Sequence, residues 1–91
     1  MDTRVAVISI IVEREDAIEE LNNLLHEARQ YIIGRMGIPY RLKGISIISI
    51  AIDAPQDKIS ALSGKIVHLK GISAKTAYSN VITPAEGGTD D

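Results

Sequence analysis

Val5-Ala6-Val7-Ile8-Ser9-Ile10-Ile11-Val12 and Ile45-Ser46-Ile47-Ile48-Ser49-Ile50-Ala51-Ile52-Asp53-Ala54 decide the fold of this chain. Both are short runs rich in β-branched residues, the composition of strands. Successive side chains of a strand point to opposite faces. In the first run Ala6, Ile8, Ile10 and Val12 share one face, and Val5, Val7, Ser9 and Ile11 the other. In the second, Ile48, Ile50 and Ile52 oppose Ile45, Ile47, Ser49 and Ala51. Both faces of each run are apolar or small, so each strand is expected inside a sheet and covered on two sides.

The segments around these runs supply the other elements. Residues 16–30 carry the stripe Ala17, Ile18, Leu21, Leu24, Leu25 and Ala28 at helical spacing, with Asn22, Asn23, His26 and Gln30 on the opposite side. Asp16 followed by Glu19 fits a capping box at the start of that helix. Residues 31–40 contain Gly34, Gly37 and Pro39, which do not suit a helix. Ile32, Met36, Ile38 and Tyr40 alternate there with smaller or charged residues, as in an edge strand that Arg35 and Pro39 protect from stray pairing. Residues 41–44, Arg-Leu-Lys-Gly, form a hairpin turn with a glycine suited to positive φ. Pro55 opens a second helix with the stripe Ile59, Leu62, Ile66 and Leu69, and Gly71 ends it. Residues 72–82 make a last strand whose Lys75, Thr76, Tyr78 and Asn80 again suit an edge. Residues 83–91 have no apolar anchor and are expected to be a flexible C-terminal tail.

The order strand, helix, strand, strand, helix, strand predicts an α+β fold, the ferredoxin-like βαββαβ sandwich, with two helices on one face of a four-stranded antiparallel sheet. Residues 1–82 form a single domain of this kind. Right-handed crossovers place the first and third strands in the middle, where the most apolar runs belong. Because both helices cover the same face, the opposite face of a monomer is expected to be polar. Here it still presents Val5, Val7, Ile11, Ile45 and Ile47. Apolar patches of that size mark interfaces, which predicts a homo-oligomer, dimer or tetramer, joined through the open sheet face.

Composition narrows the function. The chain has 91 residues and no cysteine, so no disulfide or thiolate metal site supports what is a small core, and self-association is the common remedy. Ten Lys and Arg against twelve Asp and Glu give a net charge of −2, which does not favour nucleic-acid binding by bulk charge. Three Tyr are the aromatic residues, too few for a base-stacking platform. The apolar runs of about eight residues are far short of the roughly twenty that a membrane helix needs, and the opening Met1-Asp2-Thr3-Arg4 lacks the basic start of a signal peptide. A cytoplasmic protein is therefore expected.

Site candidates are few. Arg35, Arg41 and Lys43, near Gly34, Met36 and Gly37, form a candidate ligand or partner surface, since cations and exposed backbone N–H groups attract anions. The bland account is an edge strand kept soluble by cations. The Gly spacing fits neither a dinucleotide nor a phosphate-loop fingerprint. His26 reads as a surface residue of the first helix, with a metal shared across a symmetry axis as the sharper alternative. His68 suits the negative end of the second helix, and Asp53 and Asp57 flank the positive end of that helix. Gly64 interrupts the helix at a cost of roughly 1 kcal/mol and is either tolerated or a point of close approach for a neighbour. No nucleophile–base pair or metal-ligand cluster stands out, so the chain is expected to be no enzyme and to carry no cofactor or metal.

Three strings carry a resemblance: Ile33-Gly34-Arg35-Met36-Gly37-Ile38-Pro39-Tyr40, then Gly44-Ile45-Ser46-Ile47-Ile48-Ser49, then Ile59-Ser60-Ala61-Leu62-Ser63-Gly64-Lys65. With them the chain resembles a small bacterial family, the iron-only hydrogenase system regulators, across roughly residues 4–82. The resemblance implies an ACT-like ferredoxin fold, similar to the ligand-sensing domain of the nickel-responsive repressor, together with oligomerisation and a regulatory role. The nickel-sensing relatives use several His and a Cys. This chain has His26 and His68 on different helices and no Cys, so a nickel site of that kind is not expected. No helix-turn-helix or basic arm is visible, so a transcriptional regulator built this way acts through a protein partner. The other reading is an ACT-like sensor that binds an amino acid or similar anion between subunits.

Overall fold

A computed structural model describes residues 2–84. Strand β1 (Asp2–Val12) leads into helix α1 (Ala17–Glu27). A 3-10 turn (Arg29–Tyr31), strand β2 (Ile32–Tyr40), a second 3-10 turn (Arg41–Lys43) and strand β3 (Ile45–Ala54) follow. Helix α2 (Gln56–Val67) and strand β4 (Ile72–Pro84) complete the order. The sheet runs β2-β3-β1-β4 with every neighbouring pair antiparallel. This is the ferredoxin-like α+β arrangement, with the two most apolar strands inside.

Alternation along the inner strands explains the core. Ala6, Ile8, Ile10 and Val12 of β1 and Ile48, Ile50 and Ile52 of β3 are buried under the helices. They pair directly across the sheet, Ile8 with Ile50 and Ile10 with Ile48. Ala17, Leu21 and Leu25 of α1 and Ile59, Leu62 and Ile66 of α2 close over them. Packing of this kind, rather than helix propensity, holds two helices of 11 and 12 residues in place.

Several local expectations need correction. The capping box does not form: Asp16 already has helical backbone angles, φ −71° and ψ −12°, and makes no side-chain cap. A capping side chain works from an extended backbone, which aims its oxygen at the following N–H groups. The Asp16 carboxylate instead takes both hydrogen bonds of the Arg14 guanidinium, at 3.1 and 2.6 Å. Helix α1 ends at Glu27, three residues before the expected limit. The 3-10 turn after it brings Tyr31 and Ile32 back against the core. Pro55 precedes α2 rather than opening it, with an extended ψ of 146°. Its carbonyl accepts the first helical bonds, from Lys58 and Ile59. Strand β4 continues to Pro84, two residues into the expected tail; residues 85–91 of that tail lie outside the described residues.

Both outer strands are irregular. Register shifts between Ile32 and Gly34 of β2, so Ile32 packs toward the helices while Met36, Ile38 and Tyr40 turn to the other face. On β4, Ala6 faces Tyr78 but Arg4 faces Ile82, so residues 79–81 bulge opposite Val5. Arg4 secures this bulge: its Nε donates to the Ser79 carbonyl at 2.6 Å and its guanidinium stacks on the Tyr78 ring at 4.9 Å.

The glycines at the turns behave as their positions require. Gly44 and Gly71 have φ of +67° and +79°. A Cβ on Gly71 would also lie 2.5 Å from the Arg14 side chain. Gly64, by contrast, sits in ordinary helix with no heavy atom within 4 Å of where a Cβ would stand. Gly64→Ala is therefore expected to raise stability by about 0.5–1 kcal/mol by restricting the unfolded chain. Thermal unfolding measures this; a lower midpoint would mean that another subunit packs against this turn.

Candidate functional site

The helix-free face of the sheet is apolar. Val5, Val7 and Ile11 of β1 and Ile47 of β3 keep between 38% and 42% of their surface exposed. Ile45 is half-buried beside them. The register adds residues from β2: Ile38 lies against Ile47, Tyr40 against Ile45, and Met36 against Ser49. Met36 is 52% exposed, and Ile38 and Tyr40 are exposed as well. A continuous row thus runs Ile38, Ile47, Ile11 across three strands. The sequence reading of the patch missed Met36, Ile38 and Tyr40 as members. A signal was present, because a hairpin turn over 41–44 pairs Tyr40 with Ile45 and so fixes the face of every second residue before it.

The six residues of the candidate ligand or partner surface are not gathered in one place. Met36 belongs to the open face. Arg35 reaches the other way, over α1, where its Nη2 donates to the Asn22 Oδ1 at 2.7 Å. There it lines a shallow groove with His26, Arg29 and Ile32. Arg29 donates to the His26 carbonyl at 2.9 Å, which satisfies the C-terminal end of α1. Arg41 and Lys43 lie in the turn at the far end of β2. Arg41 lines a separate hollow with Glu15, Ile18, Pro39 and Tyr40. Gly34 and Gly37 have open space on the side a Cβ would occupy. Arg35 is thus oriented by a neutral acceptor, and among the described residues no carboxylate pairs with it, a geometry suited to one oxyanion.

Other titratable groups are dispersed. His68 lines a hollow between the helices with Arg14, Asp16 and Glu20, away from His26. Among the described residues no three His, Asp or Glu side chains converge as metal ligands. Asp57 lies in the first turn of α2, where a carboxylate favours the helix dipole. Asp53 has a buried Oδ1 with no hydrogen-bond partner among the described residues. Among the described residues no helix is long and apolar enough to cross a membrane.

Two solved structures resemble this fold to different degrees. The uncharacterized protein TM1266 from Thermotoga maritima is 35% identical; the match covers 84% of this chain and 96% of that one, with a TM-score of 0.81. A formyltetrahydrofolate deformylase from Pseudomonas putida superposes with a TM-score of 0.62 at 14% identity. The match covers 85% of this chain but 29% of the deformylase, so the likeness is one of fold, an ACT-like domain within a larger enzyme. No curated protein matches the chain. A family of iron-only hydrogenase system regulators matches residues 4–76. By that match and by its likeness to TM1266, the chain belongs to the TM1266-like family of iron-only hydrogenase system regulators.

Proposed function

We propose that this chain is a cytoplasmic regulatory module that assembles with itself through the open sheet face and acts on transcription through a protein partner. The observation that carries the reading is the apolar face. Seven large side chains there, Val5, Val7, Ile11, Met36, Ile38, Tyr40 and Ile47, are each 38–52% exposed. At about 1.5–3 kcal/mol for full burial of such a side chain, covering the exposed remainder is worth roughly 4–9 kcal/mol in all. Association costs about 4–15 kcal/mol, so this surface accounts for much of what a stable pair needs. The net charge of −2 and the use of both helices to cover the sheet favour action through another protein over direct contact with DNA.

Sedimentation of the purified chain at micromolar concentration is expected to give two or four times the chain mass. A monomer would overturn the proposal. The sensor reading has one observation in its favour, the Arg35 guanidinium with which no carboxylate pairs among the described residues. A thermal-shift screen of amino acids and other anions separates the two. An upward shift that Arg35→Ala abolishes supports sensing; no shift, with a protein partner recovered, supports the partner-mediated role.

A further inference from the structure

The open face carries charge at two places. Of the described strand residues that alternate onto it, Asp53 of β3 is the carboxylate and Lys75 of β4 the ammonium, amid apolar, small and hydroxyl side chains. Asp53 lies between the buried Ile52 and Ala54, and Lys75 is exposed between the half-buried Ala74 and Thr76. Among the described residues neither is in an ion pair; the pair found there joins Arg14 to Asp16. The Asp53 Oδ1 is buried without a donor among the described residues.

Register explains why the two do not meet. Lys75 lies opposite Ser9, and Ser9 opposite Ser49, which places Lys75 in the row of Ser49 but two strands away. Asp53 is four residues beyond Ser49 on β3. Two strand spacings and four residues separate them by about 10 Å sideways and 13 Å lengthwise, or roughly 16 Å.

A two-fold interface must be complementary to itself. One acid and one base at separate points meet that condition, whereas two like charges do not. A charge on this face that is covered without a partner opposes association. We infer that the occupant of the open face is a second copy of this chain, placed so that Asp53 of each copy meets Lys75 of the other. This inference rests on the self-association proposed above and specifies its geometry.

The geometry follows from the register. The two-fold axis lies in the interface and bisects the line from Asp53 to Lys75 at a right angle. The midpoint of that line falls on β1 in the row shared by Val7 and Ala51, so Val7 packs near its own copy on the axis. For a flat sheet the line is inclined about 35–40° to the strands, which makes the two sheets cross at roughly 70°. That is nearer to orthogonal than to aligned packing.

Charge reversal tests this, with sedimentation as the readout and circular dichroism as the check on folding. Asp53→Lys and Lys75→Asp are each expected to weaken the dimer by at least about tenfold, because each sets like charges together at two symmetric points. The double exchange restores association, and so does mixing the two single variants, which regain opposite charges at both contacts. Lys75 is exposed on an edge strand, so Lys75→Asp alone carries the test if Asp53→Lys fails to fold; its dimer is then expected to recover at high salt. Single variants that associate like the parent chain overturn the pairing and leave self-association standing, as do weakened variants that neither exchange nor salt rescues. A monomeric parent chain overturns both.

Discussion

Ile47→Lys is expected to leave a folded monomer. Ile47 lies in the apolar row of the open face, against Ile11 on one side and Ile38 on the other. It is 38% exposed, so a lysine ammonium there can still reach water in a single chain. The cost to the fold is the lost apolar contact, about 1 kcal/mol. In a two-fold assembly the same change buries an ammonium on each side with no carboxylate near it. An unpaired buried charge costs several kcal/mol, so the dissociation constant rises by at least about a thousandfold. Sedimentation at micromolar concentration checks the mass, and circular dichroism checks that the chain is folded. A folded variant with the parent mass would remove the open face as the interface.

The core responds in the opposite way. Ile50→Ala is expected to reduce stability by about 3–5 kcal/mol while leaving the residues of the open face in place. Ile50 is fully buried at the centre of β3, paired with Ile8 and lying under both helices with Leu21, Leu25, Ile59 and Ile66. Close-packed surroundings relax little around a lost side chain, so a cavity adds to the lost transfer free energy. In a domain of this size the loss corresponds to a midpoint lower by roughly 15–30 °C. Thermal and urea unfolding at one fixed protein concentration measure it, since association itself contributes to apparent stability. A loss below about 1 kcal/mol would mean that the helices do not pack on this strand as described.

The parts of the fold that one residue's neighbours in sequence determine were legible. The apolar runs of β1 and β3 located the inner strands, and Gly44 and Gly71 marked the turns that need positive φ. The open face followed from parity, since Val5, Val7, Ile11, Ile45 and Ile47 share it as expected. The strand irregularities were not legible. A bulge leaves no compositional mark, so the shift at Ile33 hid the partition of Ile32 from Met36, Ile38 and Tyr40, and the long excursion of β4 at residues 79–81 was missed. Choices between competing side-chain partners were also hidden. Asp16 prefers Arg14 to the helix end because of its own backbone angles, which the residue type does not set. Arg35 meets Asn22, thirteen positions away, because its side chain leaves β2 on the face that the helices cover. Arg35, Arg41 and Lys43 are close in sequence, but the extended strand between them carries the first away from the other two.

The irregular registers of β2 and β4 fall on the two outermost strands. An outer strand has unsatisfied backbone groups along one side and invites further chains to add on, without limit. A bulge twists that side out of line and breaks the template. With both borders interrupted, growth into fibres is disfavoured, and the proposed stacking of surfaces that mask one another on contact ends after a small, countable number of copies.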